Sequence, residues 1–281
     1  MSSLEAIVAT GLQSGADPCM MNALSVTKEE ELHGWLVNGV FALGVVTYVA
    51  TTFITAPYGR HVRPGWGPTV NTRLGWILME SPSAIWFTVV YLWGDHRFET
   101  TPLAAASLWV CHYVYRSYIY PFLIRTSKDK RMPLTVMLSG DFYNGINAYI
   151  NARYLSQFGD YSDDDIFTRP SFYAGVALFV FGLSMNIYSD QVLINLRKPG
   201  ESGYKIPHGG LFEYVSSPNY FCELLEWTGW ALLSQSPAGL SFAVYTATNL
   251  VPRALSNHRW YQDKFREEYP SNRKVILPFL W

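Results

Sequence analysis

Charged residues are scarce in this chain, and several other markers of soluble or secreted proteins are few. Only 15% of the 281 residues are charged, against about 25% in a typical soluble domain. The formal net charge of −1 gives no basis for nucleic-acid binding. Three cysteines, Cys19, Cys111 and Cys222, are too few and too scattered for a disulfide framework or a metal-binding knuckle. We therefore expect no metal site.

Two sequence motifs with a clear meaning are also missing. The first 30 residues contain no basic segment followed by a continuous apolar run, so no cleavable signal peptide is expected. No GxGxxG motif follows a predicted strand, which excludes a Rossmann site for a dinucleotide. Residues 1–32 are interpreted as a polar N-terminal extension, and residues 33–281 as a single membrane domain.

Long apolar runs are abundant, and hydrophobic residues make up 49% of the chain. A bilayer span needs about 20 mostly apolar residues. Seven segments fit this description: 33–56, 75–93, 102–124, 132–156, 170–188, 212–234 and 236–252. The sequence therefore predicts an all-α integral membrane protein with seven transmembrane helices. The alternative, a soluble all-helical protein with buried helices, is disfavoured by the number of these runs.

The charges of the connecting loops predict the orientation of the chain. Basic residues concentrate in four segments: 57–74, 125–131, 189–211 and the tail after 252. The segment 157–169 is acidic instead. With seven spans, every basic segment lies on one side, as the positive-inside rule requires, whereas six or eight spans break this agreement. We therefore predict a cytoplasmic C-terminus and a non-cytoplasmic N-terminus, in a bacterial inner membrane or the endoplasmic reticulum.

Ionisable and aromatic residues interrupt the second and third predicted spans. Glu80 follows Trp76 by four residues, so the two share a helix face. Tyr113, Arg116 and Tyr120 form one helical stripe. Ionisable groups at membrane depth are costly and usually paired or cavity-facing. A Tyr that can reach a buried Glu is a candidate acid pair. The alternatives are a glutamate that reaches interfacial water and an aromatic belt near the headgroups.

A basic, glycine-rich loop begins at Arg197 and enters an apolar helix with three polar residues: Asn219, Glu223 and Glu226. The polar segment 186–190 ends the fifth span and offers groups that could bind a ribose or a carboxamide. The segment 253–261 adds further Arg and aromatic residues after the last span. Together they suit a dinucleotide with a pyrophosphate and an extra phosphate. The alternative for the basic residues is contact with anionic lipid.

These motifs resemble those of the steroid 5α-reductases, membrane NADPH-dependent 3-oxo-steroid 4-dehydrogenases. The resemblance covers roughly residues 57–281. Its most specific blocks are NIYSDQVLINLRKPGESGYKIPHGGLFEYVSSPNYFCELLEW and YPSNRKVILPFLW, supported by PYGRH (57–61), ME (79–80) and HYVYR (112–116). It implies a seven-helix fold that holds NADPH in the membrane core.

The resemblance also implies roles for individual residues. Glu80 and Tyr113 match the pair that contacts the steroid 3-keto group, and we assign Trp76 and Arg116 to the same substrate site. The implied cofactor contacts are Asn186, Asp190, Arg197, Tyr204, Lys205, Asn219, Glu223, Arg253, Asn257, His258 and Tyr261. Two of these depart from the family pattern: Lys205 stands in place of Arg, and Asn257 replaces a His, with His258 adjacent.

The implied reaction is reduction of the 4,5 double bond of a 3-oxo-Δ4-steroid by hydride from NADPH. The steroid would enter from the bilayer into a lipid-embedded monomer. One alternative is a relative that reduces a polyprenol or a trans-2-enoyl thioester. A second is an isoprenylcysteine-type methyltransferase that uses S-adenosylmethionine, and a third is a non-catalytic sterol-binding or scaffold protein. The Glu80 and Tyr113 pair favours a ketone-activated enone, and the basic residues favour NADPH.

Overall fold

A computed structural model describes residues 18–57, 59–61, 63–124, 130–161, 168–197, 201 and 203–281, with side chains from residue 26 onward. Some predicted features lie outside these residues: positions 1–17 of the N-terminal extension, Tyr58 of the PYGRH motif, loop positions 125–129, the acidic stretch 162–167 and Lys198 of the basic loop.

Seven long helical segments occur in the described residues, one at each predicted span. The α-helices are α1 (Pro18–Phe53), α2 (Thr72–Leu92), α3 (Thr100–Val114), the short α4 (Tyr120–Leu123), α5 (Leu134–Arg153), α6 (Pro170–Asn195), α7 (Pro218–Ser234) and α8 (Pro237–Phe265). Two π-helical turns follow α3 and α5: Tyr115–Ile119 and Tyr154–Phe158. Short 3-10 helices lie at Gly59–His61, Gly210–Glu213 and Arg266–Glu268. The prediction of an all-α fold is confirmed for the described part of the chain.

Two helices in the described residues are long and apolar enough to cross a membrane. They are the segment Val26–Phe53 of α1 and the whole of α6. The other long helices are shorter or interrupted by polar residues, so the seven crossings remain a prediction.

Helix α1 begins before the predicted first span, and the expected boundary between residues 32 and 33 falls inside it. The run from Lys28 to Glu31 consists of good helix formers, which allows the helix to extend toward the N-terminus. Glu29 is also held in place, because Arg153 donates to both of its carboxylate oxygens at 2.7 and 2.6 Å.

A two-stranded antiparallel ladder joins the starts of α2 and α5. Strand β1 (Thr69–Asn71) precedes α2, and strand β2 (Arg131–Pro133) precedes α5, with Val70 opposite Met132. The side chain of Asn71 then caps α2 by accepting from two backbone amides of its first turn. The first residues of α2 and α5 therefore lie at the same end of the helical bundle.

The opposite ends of the same helices are joined by polar side chains. Gln157 follows α5 and donates from its amide to Asp95, which follows α2, at 3.1 Å. The backbone amide of His96 donates to the carbonyl of Ser156 at 2.9 Å. Arg153, at the last turn of α5, also binds Glu29 of α1 here.

An aromatic cluster fills the interior between α2, α3, α7 and α8. The fully buried Trp109 stacks on Phe87 at 4.7 Å between ring centroids and contacts Trp230 at 5.0 Å. Trp227 packs against Phe242 at 4.3 Å. Large aromatic rings contribute much of the buried apolar area in such cores, so this cluster fixes how α3 and α7 face each other.

Helices α6 and α7 approach each other closely enough that only glycine fits at the contact. A Cβ atom placed on Gly182 would lie 2.6 Å from the backbone nitrogen of Glu226. One placed on Gly229 would lie 2.5 Å from the backbone nitrogen of Phe179. Since backbone atoms cannot move aside locally, these glycines set the distance between two helices that carry four of the predicted cofactor contacts: Asn186, Asp190, Asn219 and Glu223.

Candidate active site

Arg116 lies at the centre of a polar cluster inside the bundle. It occupies the π-helical turn after α3, a type of turn often found at functional sites. Its guanidinium lies over the rings of Trp76 at 5.0 Å and Tyr120 at 4.7 Å. Its Nη1 donates to Oδ2 of the buried Asp190 at 3.3 Å. Aromatic faces and a carboxylate together stabilise a cation that is largely removed from water.

Asp190 continues this polar contact across α6 to α7. Its second oxygen, Oδ1, accepts from Nδ2 of Asn219 at 3.2 Å. The backbone carbonyl of Asn219 in turn accepts from Nδ2 of Asn186 at 2.8 Å. Asn186 and Asp190 are four residues apart on α6, so both face the start of α7. Three predicted cofactor residues and Arg116 thus form one hydrogen-bonded chain.

The predicted catalytic pair lies beside this chain. Glu80 on α2 is half-buried and interacts electrostatically with Arg116. Tyr113 is 3% exposed, and among charged side chains its phenol interacts most strongly with Glu80. Glu223 on α7 also interacts with Arg116. The structure therefore brings together the predicted substrate residues, with Trp76 stacked on the same guanidinium.

A second cluster forms where the loop after α1 meets the end of α8. The guanidinium of Arg60 lies over Trp260 at 4.8 Å and Tyr261 at 4.5 Å, and near Tyr204 at 6.0 Å. Arg197 approaches the ring of Tyr204 at 5.9 Å. Nη1 of Arg60 is buried and has no hydrogen-bond partner among the described residues. Arg60 was not among the predicted site residues, although it lies in the PYGRH motif.

His61 and Arg253 extend this second cluster toward α7. Nε2 of His61 lies 3.2 Å from Oδ1 of Asn257, and Nε of Arg253 donates to the hydroxyl of Tyr220 at 2.7 Å. Burial lowers the pKa of His61; the bond to Asn257 opposes this, while the nearby Arg253 and Arg60 lower the pKa further. Arg253 and Asn257, both predicted cofactor residues, therefore face the same region as Arg60.

Two predicted cofactor residues have partners outside these clusters. Nζ of the exposed Lys205 forms an ion pair with Glu201 at 2.5 Å. Nδ1 of His258 lies 2.5 Å from the hydroxyl of Ser216. Burial lowers the pKa of His258. Both residues remain predicted cofactor contacts, but in this structure His258 ties α8 to the segment before α7.

A buried ionisable pair was not assigned a role by the sequence analysis. A hydrogen bond of 2.5 Å joins Nδ1 of His112 on α3 to Oε1 of Glu226 on α7. The His112 ring packs edge-on against Tyr113 at 4.8 Å and Trp227 at 4.6 Å. The sequence offered only one indication, namely that each residue is an ionisable group within an apolar run.

Comparison with known proteins identifies the family of this chain. A family model described as 3-oxo-5-alpha-steroid 4-dehydrogenase matches residues 130–281. Steroid 5-alpha-reductase DET2 of Gossypium hirsutum is 38% identical, covering 91% of this chain and 100% of the relative. The 3-oxo-5-alpha-steroid 4-dehydrogenase 1 of Bos taurus is 44% identical, covering 85% of this chain and 93% of the relative. The 3-oxo-5-alpha-steroid 4-dehydrogenase 1 of Homo sapiens is 40% identical, covering 90% of this chain and 97% of the relative. The chain therefore belongs to the steroid 5-alpha-reductase (3-oxo-5-alpha-steroid 4-dehydrogenase) family.

Proposed function

We propose that this protein is a membrane reductase that uses NADPH to reduce the 4,5 double bond of 3-oxo-Δ4-steroids. Its relatives carry names that refer to 3-oxo-5-alpha-steroids and to steroid 5-alpha-reduction. The observation that carries the proposal is the position of Tyr113 and Glu80 beside the hydrogen-bonded chain from Arg116 through Asp190 to Asn219. This arrangement supports a ketone-binding pair beside a group of residues that binds the dinucleotide.

The substrate end of the site suits an enone. When hydride adds to C5, negative charge develops on the 3-keto oxygen, and a proton from solvent completes the reduction at C4. Tyr113 donates a hydrogen bond to that oxygen and stabilises the charge in a site with little water. An ionised carboxylate beside the forming oxyanion would repel it. Glu80 therefore acts in its protonated form, or accepts a hydrogen bond from Tyr113 and orients it.

The remaining residues fit the cofactor. NADPH would supply the hydride when bound. Asn186, Asp190 and Asn219 present amide and carboxylate groups suited to a carboxamide or a ribose. Arg60 and Arg253 present guanidinium groups suited to phosphates, and the buried Nη1 of Arg60 offers a hydrogen-bond donor without a protein acceptor among the described residues. The contact of Arg60 with two aromatic rings keeps its planar group in place for such a ligand.

The seven-span orientation is also part of this proposal. Contacts between the basic segments support it. Strand β1, in the first basic segment, pairs with β2, which begins at the end of the second. His61 of the first segment lies within hydrogen-bond distance of Asn257 in the basic tail. Burial and the nearby guanidinium of Arg197 lower the pKa of Lys130. The third basic segment, which contains Arg197, therefore lies near the second, which contains Lys130. All four basic segments thus gather at one end of the bundle, as a cytoplasmic face requires.

Lipid contact and monomeric function are proposed from the surface of α1. Several large apolar side chains of α1 are exposed, including Val45, Val46 and Phe53. Contiguous apolar surface of this kind marks a partner or a membrane. Lipid tails would cover this surface of a monomer, and the steroid would enter the site from the same bilayer.

The test uses the purified protein in lipid nanodiscs with NADPH and androst-4-ene-3,17-dione, a 3-oxo-Δ4-steroid. We expect NADPH absorbance to fall, with a product heavier by two hydrogen atoms that no longer absorbs as an enone. Parallel reactions contain a trans-2-enoyl thioester or a polyprenol instead. Turnover of either alternative without turnover of the steroid would overturn the proposal.

A further inference from the structure

The buried pair of His112 and Glu226 has no part in the reaction described so far. Their side chains are 5% and 0% exposed. Oε2 of Glu226 is buried and has no hydrogen-bond partner among the described residues, so His112 is the partner that the structure gives this carboxyl group. A buried carboxyl group without a partner is strongly destabilising. The carboxyl group of Glu226 therefore depends on His112 for its hydrogen bond.

The pair lies among several other ionisable groups that surround Tyr113. Glu80 on α2 and Glu223 on α7 each interact electrostatically with Tyr113 and with His112. Two basic side chains, Arg116 and His112, interact with both Glu80 and Glu223. Of these two, Arg116 also forms an ion pair with Asp190. Negative charge in this region opposes the oxyanion that Tyr113 must stabilise.

The hydrogen bond between His112 and Glu226 joins α3 to α7 beside Tyr113. Losing His112 leaves the carboxyl group of Glu226 beside Tyr113 without its partner. Losing the carboxyl group leaves the imidazole, which packs on Tyr113, without its anchor to α7.

We propose that His112 and Glu226 act as one positioning pair for the reduction: the hydrogen bond between α3 and α7 holds the His112 ring against Tyr113 and so fixes Tyr113. This inference rests on the proposed steroid reduction. It assigns neither residue a contact with the reacting atoms, because Glu226 has no second protein partner in the described chain to which a proton could pass.

The test compares His112→Gln, Glu226→Gln and the double variant with the parent protein in nanodiscs. Single-turnover oxidation of NADPH by androst-4-ene-3,17-dione gives the hydride-transfer rate, and NADPH fluorescence gives the cofactor dissociation constant. We expect each single variant to lose about tenfold to a hundredfold in hydride-transfer rate, the scale of a small misplacement of reacting groups. Cofactor affinity stays unchanged, and the double variant is no slower than the slower single variant, because the two residues act as a unit.

Ser241→Ala is the matched control. Its hydroxyl is fully buried but bonds only a carbonyl of its own helix, Ala238, at 2.8 Å, so its rate should not change. If Glu226→Gln does not fold, Glu226→Asp keeps the carboxyl group with a shorter reach and takes its place, with a smaller loss expected.

Three results would overturn the inference. Unchanged rates per cofactor-loaded enzyme, with a lower yield of folded protein, would leave the pair with a structural role alone. Losses that multiply in the double variant would mean that the residues act independently. A parent enzyme that binds NADPH and reduces no steroid would overturn both this inference and the proposed function, whereas an active parent with unimpaired variants overturns the inference alone.

Discussion

Removing the Tyr113 hydroxyl is the most direct test of the catalytic assignment. Tyr113 is 3% exposed, and its ring contacts Trp109 at 4.9 Å, Trp227 at 5.8 Å and His112 at 4.8 Å. Tyr113→Phe keeps every one of these ring contacts and deletes only the oxygen. The substitution leaves no cavity larger than the hydroxyl, so we expect the folded yield and the thermal stability to change little.

The expected change in rate follows from the loss of one donor to an oxyanion. Such a donor contributes about 10²- to 10³-fold to the rate in a site that excludes water. Glu80 and Arg116, which are proposed to line the same substrate site and interact with each other, remain in the variant and are expected to offset part of the loss. We therefore expect Tyr113→Phe to slow the chemical step by about tenfold to a thousandfold, or about 1.4–4 kcal/mol in activation free energy.

The assay is single-turnover reduction of a 3-oxo-Δ4-steroid at saturating NADPH. Tyr161→Phe is the matched control, since the hydroxyl of Tyr161 is also buried but donates to the carbonyl of Ser234 at the far end of α7. The control should reduce the steroid at the parent rate. A Tyr113→Phe enzyme that turns over as fast as the parent would refute the assignment of Tyr113 as the oxyanion donor.

Three further predictions concern the cofactor, the helix contact and the orientation. The parent should bind NADPH more tightly than NADH, and Arg253→Ala should reduce the affinity for NADPH by about tenfold to a hundredfold. Fluorescence titration measures both affinities. Equal affinity of the parent for the two cofactors would contradict the phosphate assignment. Gly182→Ala should lower stability by about 1–3 kcal/mol or more, because the added carbon meets the α7 backbone, and thermal unfolding measures this. Gly65→Cys and Asp160→Cys, each made in a protein whose exposed native cysteines are replaced by serine, should react with a membrane-impermeant reagent from opposite sides of the membrane. Labelling of both positions from the same side would contradict seven spans.

Two substitutions serve as matched controls for these experiments. Lys264→Ala removes an exposed cation at the end of α8 that is not among the predicted cofactor contacts, so it should change NADPH affinity less than Arg253→Ala does. Gly39→Ala adds the same carbon to a helical glycine where, outside the nearby backbone of its own helix, the carbon would meet no described atom within 4 Å, so its stability should not fall. A Gly39→Ala variant as unstable as Gly182→Ala would mean that the contact with α7 is not the cause.

The positions of the helices could be predicted because apolar runs and polar loops alternate along the chain. Features that depend on only a few residues could not. The π-helical turn at Tyr115–Ile119 adds one residue to a turn within a continuous apolar pattern, which periodicity does not reveal. The strands Thr69–Asn71 and Arg131–Pro133 are three residues long and pair with each other across 62 residues of sequence. The start of α1 was missed because polar helix formers precede its apolar part.

Site residues could be predicted where a polar group interrupts an apolar run, as Glu80 and Asn219 do. Pairings between distant residues could not. His112 and Glu226 are 114 positions apart, and neither carries local information about the other. Arg60 lies in a basic loop, where lipid contact is the simpler interpretation, and only the fold brings it between Trp260 and Tyr261. The loop charge indicated the side of the membrane, not the ring contacts.

The polarity that makes a site in this bundle also hides its helices from a hydropathy test. Asn144 and Asn151 interrupt α5, and each is satisfied inside the protein: Asn144 donates to the carbonyl of Met79 at 2.8 Å, and Asn151 accepts from the indole of Trp230 at 3.1 Å. A polar group that is hydrogen-bonded within the bundle does not carry the cost it would have against lipid. Hydropathy counts such residues as if they faced the bilayer, which lowers the score of α5, whereas α3 and α7, with 15 and 17 residues, are too short to qualify. Among the described residues only α1 and α6 meet both conditions. A helix such as α5, interrupted by internally satisfied polar residues, is therefore expected to line a site, and α2, α3, α7 and α8 also contribute polar side chains to the interior.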